Sequence, residues 1–330
     1  MLSQVDAPLD GIAPSITPKP RPTLWAHVQI ARMDHWVKNV FVLPGVIVAL
    51  SLDRSQWNGD LIRNFLVGLL AVCLVTSSNY VINEILDAPY DRQHPVKRHR
   101  PVPSGKVSLR WGYVQWIVLM LVGMIVAAQV SVPFLATMLA LWFMGCVYNI
   151  PPVRSKDVPY LDVLSEAVNN PLRMLAGWYI TQTTLLPPIS LLMSYWMVGC
   201  YFMAIKRFAE YRDIGNPIRS GNYRRSFKFY NETRLLVSIM FYATHAMLFF
   251  GAFIIRYKLE LILSFPLVAL VMAIYLMLSF ERDSSVQRPE KLHRSPSLMA
   301  SVIVCWVVMM TLMFCEMPAL DELFPLSVSR

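Results

Sequence analysis

The 330-residue sequence is 55% hydrophobic and only 15% charged, with a mean hydropathy of +0.45. Soluble chains carry closer to a quarter charged residues and cannot hide this much apolar surface, so a soluble globular fold is excluded and membrane integration follows. The net charge of +9 would suit nucleic acid, but its placement along the chain serves membrane topology instead, and no nucleic-acid partner is expected.

Residues 1–24 hold Pro8, Pro14, Pro18, Pro20 and Pro22 with little periodicity, which predicts a disordered tail. The first apolar run starts only near Trp36 and lacks a small-residue cleavage site, so it reads as a retained helix and no signal peptide is expected. A crossing needs roughly 20 mostly apolar residues. Nine segments qualify: 36–52, 62–86, 109–130, 132–150, 161–182, 186–205, 235–255, 260–280 and 298–316. The fifth contains Glu166, Asn169, Asn170, Pro171 and Arg173, so it must face protein or water-filled space. Trp111, Tyr113 and Trp116 open the third and read as an interfacial belt. The five cysteines sit inside apolar runs with no C-x-x-C pair, as packing thiols do. The expected architecture is all-α: one polytopic domain over 25–330, about nine transmembrane helices around a central cavity open to the cytoplasm.

Residues 1–35 and the segments 87–110, 151–160, 206–234 and 281–297 carry 23 of the 30 Lys and Arg. That asymmetry predicts a cytoplasmic N-terminus and cytoplasmic long loops; nine crossings then place the C-terminus, acidic at Glu316, Asp321 and Glu322, outside. Topology explains the bases. It does not explain Asp87, Asp91, Asp157 and Asp162 on the same side, since acids contribute little to orientation.

Asn83, Glu84, Asp87 and Asp91 end the second span. At i, i+4 and i+8, Asn83, Asp87 and Asp91 share one helical face as a stripe of oxygen donors. Stacked carboxylates repel unless a cation joins them, and Mg²⁺ typically takes one or two carboxylates plus substrate phosphates. A solvated helix end paired with Arg92, Lys97 or Arg98 is the bland alternative. Pro89 predicts a kink or stop there, which leaves Asp91 less well placed than Asp87.

The run N-E-x-x-D-x-x-x-D (Asn83 to Asp91) followed by KRHRPVPSG (Lys97 to Gly105) resembles the first signature of the UbiA superfamily, intramembrane enzymes of about nine helices that use Mg²⁺ on diphosphate substrates. Glu84 departs from the family's usual Asp, and Pro89 is a second departure. Arg32, Trp36, Val37, Lys38 and Asn39 (R-x-x-x-W-V-K-N), HPVKRHRP (His94 to Pro101) and Lys206, Arg207 and Glu210 in IKRFAEYR are similar to the decaprenyl-phosphate phosphoribosyltransferase branch. YNIPPVRSKDVPYLD (Tyr148 to Asp162) instead resembles a Y-N-x-P-P-x-R element found more broadly, including branches that prenylate rings.

The resemblance implies a Mg²⁺ site at Asn83, Glu84, Asp87 and Asp91, with Asp87, Asp91 and Asp162 as the catalytic carboxylates. Arg32, Lys38, Asn39, Lys97, Arg98, Arg100, Tyr148, Lys156, Lys206, Arg207 and Glu210 are then the expected substrate-binding residues. Asp162 would complete a second metal site or orient ribose hydroxyls. Phosphoribosyl diphosphate and a polyprenyl phosphate are the implied substrates, and the bacterial inner membrane is the implied location. Prenyl transfer from a diphosphate to a small acceptor stays open. So does oligomeric state, a homo-oligomer included. A transporter would predict ionisable residues near the midplane and inverted repeats, and neither is visible.

Overall fold

A computed structural model describes residues 21–92, 96–281, 284–287, 292 and 295–324. Most of the expected tail, His94 in the basic motif and the last six residues lie outside the described residues.

The chain enters through α1 (Leu24–Ile30), a 3₁₀ stretch over Met33–Val42 and α2 (Leu43–Leu52). Together these make one 29-residue apolar span rather than the shorter 36–52 expected. The tail boundary also moves: the Thr23 hydroxyl caps α1 by accepting the Ala26 N–H at 3.2 Å, and the Thr23 N–H donates to the Lys106 carbonyl at 3.1 Å. Arg32, at φ 50°, breaks α1 from the 3₁₀ stretch.

Then follow α3 (Asp60–Asp91), α4 (Leu109–Ala127) and α5 (Val132–Asn149). The expected fifth span is α6 (Leu161–Ala167) and α7 (Asn169–Ile180), parted at Val168. The long α8 (Ile189–Ile214) ends on Gly215 at φ 61°, a left-handed position glycine adopts without a Cβ clash. After α9 (Pro217–Tyr223) come α10 (Glu232–Tyr257), α11 (Phe265–Leu278), α12 (Pro296–Phe314) and α13 (Pro318–Leu323). Among the described residues eight stretches are long and apolar enough to cross a membrane, and the expected nine is not reached because neither half of the broken fifth span qualifies. Pro89 does not stop α3, which runs through it to Asp91; only Tyr90 and Asp91 follow the proline in the helix, so little ladder is lost.

Two apolar cores flank the break. Val72, Val75, Phe134, Met138 and Ile180 join α3, α5 and α7; Val163, Ala204, Phe208, Leu235 and Tyr275 join α6, α8, α10 and α11. Breaking the fifth span lets α6 serve one core and α7 the other. At α2–α7 the backbones touch: a Cβ on Gly45 would fall 1.9 Å from the Met174 carbonyl oxygen, and one on Gly177 2.0 Å from that of Val42. Trp116 stacks on Trp142 with centroids 5.7 Å apart, so it packs between helices while Trp111 and Tyr113 stay exposed.

The helix ends sort into two groups. At one, Asp53 accepts from Thr183, Gln182 donates to the Val130 carbonyl, and Lys258 donates to that of Cys315. At the other meet the segments rich in bases: Arg154 on Asp87, the Tyr160 N–H on Tyr230, Lys97 on Tyr223, and Gln287 on the Ala209 carbonyl.

Candidate active site

The basic end is built on the last turns of α3 and α5 and the loop between α5 and α6. Asn83 Nδ2 donates to Asn149 Oδ1 at 2.6 Å and to Asp87 Oδ2 at 3.2 Å. Asp87 Oδ1 accepts from Arg154 Nη2 at 3.0 Å and Lys156 Nζ at 2.5 Å, and Lys156 also reaches Asn149 Oδ1 at 2.9 Å. Arg154, at φ 27°, is held in that uncommon conformation by its further bonds to Asp157 and to the Asn149 carbonyl. Burial pushes the Lys156 ammonium down to about 8 against the pull of Asp87.

The second half gathers at Asp162 in the first turn of α6. Its Oδ1 accepts from the Tyr230 hydroxyl at 2.7 Å; its Oδ2 accepts from Ser226 at 3.1 Å, Arg207 Nε at 3.3 Å and Arg224 Nη1 at 3.4 Å. Arg207, reaching in from α8, also donates to Glu166 at 2.8 Å and Glu210 at 3.2 Å. Tyr148 joins the halves: its hydroxyl donates to Glu166 Oε2 at 2.8 Å, and Lys156 Nζ lies 5.7 Å from its ring centroid. Asp87 and Asp162 therefore belong to one polar network.

A third group packs on the flank of α3. Arg100 Nη1 meets Asp91 Oδ2 at 2.8 Å, and the Val102 N–H donates to Glu84 Oε1 at 3.1 Å. Burial lowers the Lys97 ammonium, with Asp91 and Glu210 opposing it. Arg98 is exposed and its Nε lies 3.2 Å from His99 Nε2. On the opposite flank Arg32 lies 5.9 Å from the Tyr80 ring centroid, and Asn39, 2% exposed, accepts from Arg173 and donates to Cys73. Lys38 and Lys206 are half-buried.

Most of the residues singled out in the sequence converge at this end. The stripe of oxygen donors does not stay together: Asn83 and Asp87 are neighbours, Asp91 is committed to Arg100, and Glu84 to a backbone amide. Among the described residues no group of three or more His, Cys, Asp or Glu is placed to hold a metal. The donors beside Asp87 are hard amide and carboxylate oxygens, which fit Mg²⁺ once substrate phosphates complete its shell. Asp162 carries four donors, three of them crowded on Oδ2 and one on Oδ1. Sequence reasoning missed Asn149, Arg154, Arg224, Ser226 and Tyr230. Arg154 lay in the quoted P-P-V-R element, but nothing in the spacing of NYRRSFKFY separates Arg224 from its neighbours. Two outer grooves of about 470 and about 370 Å³ are almost wholly apolar and hold none of this chemistry.

Similarity to known proteins agrees with this geometry. Residues 40–314 match the model of the UbiA prenyltransferase family. The chain is 29% identical over 238 residues to decaprenyl-phosphate phosphoribosyltransferase of Mycobacterium tuberculosis, covering 72% of this chain and 76% of that one. It is also 29% identical over 203 residues to nodulation protein NoeC of Azorhizobium caulinodans, covering 61% of this chain and, at 62%, less than two thirds of that relative. Its fold is similar to a UbiA homologue from Archaeoglobus fulgidus solved with GPP and Mg²⁺, at TM-score 0.65 and 20% identity, over 90% of this chain and 99% of that one. An all-helical bundle with its acids and bases gathered at one end, and a family match over most of its length, make this chain a member of the UbiA prenyltransferase family.

Proposed function

We propose that the protein is a Mg²⁺-dependent phosphoribosyltransferase of the bacterial inner membrane, moving 5-phosphoribose from phosphoribosyl diphosphate to a polyprenyl phosphate and releasing pyrophosphate. The observation that supports this reading is the number of cations gathered at one end of the bundle: Arg154, Lys156, Arg207 and Arg224 in one network, with Lys97 and Arg100 on its flank. Three phosphate-bearing groups must be held in this reaction, the diphosphate, the 5-phosphate and the lipid phosphate, where prenyl transfer to a neutral acceptor needs one. The decaprenyl-phosphate phosphoribosyltransferase relatives point the same way.

A lipid phosphate oxygen forms a bond to the ribose anomeric carbon while the bond from that carbon to the diphosphate oxygen breaks, its electron pair leaving with pyrophosphate. The nucleophile is ionised at neutral pH and needs no general base. Mg²⁺ bound at Asp87 and Asn83 would neutralise charge growing on the leaving group. With Mg²⁺ held at Asp87, Arg154 and Lys156 would be free to bind the phosphates, Arg154 as a two-pronged clamp. Asp162 fixes Arg207 and Arg224 in place, and Arg100 and Lys97 line the near side.

The test incubates membranes with Mg²⁺, radiolabelled phosphoribosyl diphosphate and decaprenyl phosphate, and follows label into the lipid phase. Lipid-borne label is expected. Its absence, with turnover of an allylic diphosphate, would establish the second reading, prenyl transfer to a small acceptor, which the double-proline element Pro151-Pro152 favours.

A further inference from the structure

Arg173 stands apart from the paired cations of the rim. It lies on α7, past the break at Val168, and its partner Asn39 bonds Cys73, which stands ten residues before Asn83 on the unbroken α3, about 15 Å of helical rise deeper. The rim cations Arg100, Arg154, Lys156, Arg207 and Arg224 each face a carboxylate. Among the described residues Arg173 faces none. Its one hydrogen bond runs from Nε to the neutral Asn39 Oδ1 at 3.3 Å, and the groups near enough to feel its charge are Tyr80, Tyr195 and Cys73. Glu166, the nearest acid along its own segment, is already taken by Arg207 and Tyr148. A half-buried guanidinium with only uncharged partners is costly, and such groups in a membrane span mark ligand sites.

The wall beside it is thin. Asn39 is buried on the inner side of the Met33–Val42 stretch, while Val37, Val40 and Phe41 of the same stretch are exposed to 75%, 51% and 44%. The Tyr195 hydroxyl of α8 donates to the Phe41 carbonyl at 3.5 Å. Arg173 is thus one layer of side chains from the exposed apolar surface and lies below the rim.

We propose that Arg173, positioned by Asn39, seats the phosphate monoester of the lipid acceptor, which arrives from the bilayer while the water-soluble diphosphate occupies the rim. The identity of the acceptor rests on the proposed function; the seat for a lipid-borne phosphate does not need the ribosyl donor. A monoester dianion supplies the missing counter-charge, and the neutral amide and phenol groups around it leave the guanidinium free for two-pronged contact.

The test uses the purified full chain in nanodiscs, with geranylgeranyl monophosphate and geranylgeraniol as probes of thermal protection, alongside steady-state label transfer. The monophosphate is expected to protect the unsubstituted protein more than the alcohol, a difference lost in Arg173→Gln and largely kept in Arg173→Lys. The KM for decaprenyl phosphate rises at least tenfold in Arg173→Gln, while that for phosphoribosyl diphosphate stays within twofold. If Arg173→Gln does not accumulate, Asn39→Asp keeps the arginine and supplies a carboxylate in place of the amide; it is expected to remove monophosphate protection without lowering the Tm. Equal protection by both probes in the unsubstituted protein, monophosphate protection that survives Asn39→Asp, or a rise in KM confined to phosphoribosyl diphosphate overturns the seat. Monophosphate protection without ribosyl transfer would overturn the proposed reaction and leave the seat standing.

Discussion

Asp87 and Asp162 belong to the same network and live in opposite circumstances. Asp87 is 23% exposed at its side chain and shares one oxygen between two cations. Asp162 is 0% exposed, and its two oxygens are filled by Arg207, Arg224, Ser226 and Tyr230. One carboxylate is open to exchange its partners; the other is closed around them. The difference assigns them separate work. On the proposed function, exchange of Arg154 and Lys156 for a metal at Asp87 would cost little rearrangement, since both cations would have phosphates to turn to. Removing charge from Asp162 leaves Arg224 without its carboxylate, takes one of three from buried Arg207, and loosens the loop that carries Arg224, Ser226 and Tyr230.

Substitution should separate the two roles. Asp87→Asn keeps the shape and removes the charge; turnover in the label-transfer assay is expected to fall by about 10³-fold, the scale of losing a group that stabilises transition-state charge, with the yield of folded protein unchanged. An equal loss of folded protein would erase the contrast. Asp162→Asn is expected to destabilise by about 3 kcal/mol, because breaking a buried charge pair leaves its partners uncompensated, and thermal unfolding would read this directly. Should Asp162→Asn keep its Tm and lose only turnover, Asp162 would be a ligand of metal or substrate rather than an anchor.

The Lys156 ammonium, held near 8 by burial, gives a smaller and pH-dependent effect. It is charged below that pH and loses its proton as pH rises through it, so kcat/KM for phosphoribosyl diphosphate is expected to decline about tenfold per unit above pH 8. Lys156→Arg should flatten that limb; a limb left unchanged would assign it to another group. The smallest effect falls at the surface: Arg98→Ala, at an exposed side chain, should change turnover by less than about twofold. A large loss there would mean that the Lys97–His99 turn closes over the site when substrate is bound.

Much of the fold is legible in the amino-acid sequence. Apolar runs mark the spans because a bilayer leaves only helices with internally paired backbones, and the bases mark one end because topology demands it. The fifth span is legible as odd from Glu166, Asn170 and Arg173. Its break at Val168 is not, because two cores on either side decide where each half turns. At α3 the proline rule overreaches: Pro89 lies so near the helix end that packing carries the chain past it.

The sequence alone determined the chemistry available: acids at the end of α3, bases after them, a polar fifth span and the kind of cation these oxygens attract. Only the tertiary structure decided who meets whom. Periodicity put Asn83, Asp87 and Asp91 on one face, yet Arg100 and Val102 drew Asp91 and Glu84 away, while Arg154, Arg224 and Tyr230 came in from loops with no period to read. Helical spacing is a local rule, and the pairing of charges withdrawn from water is settled by whichever partner the fold brings within reach.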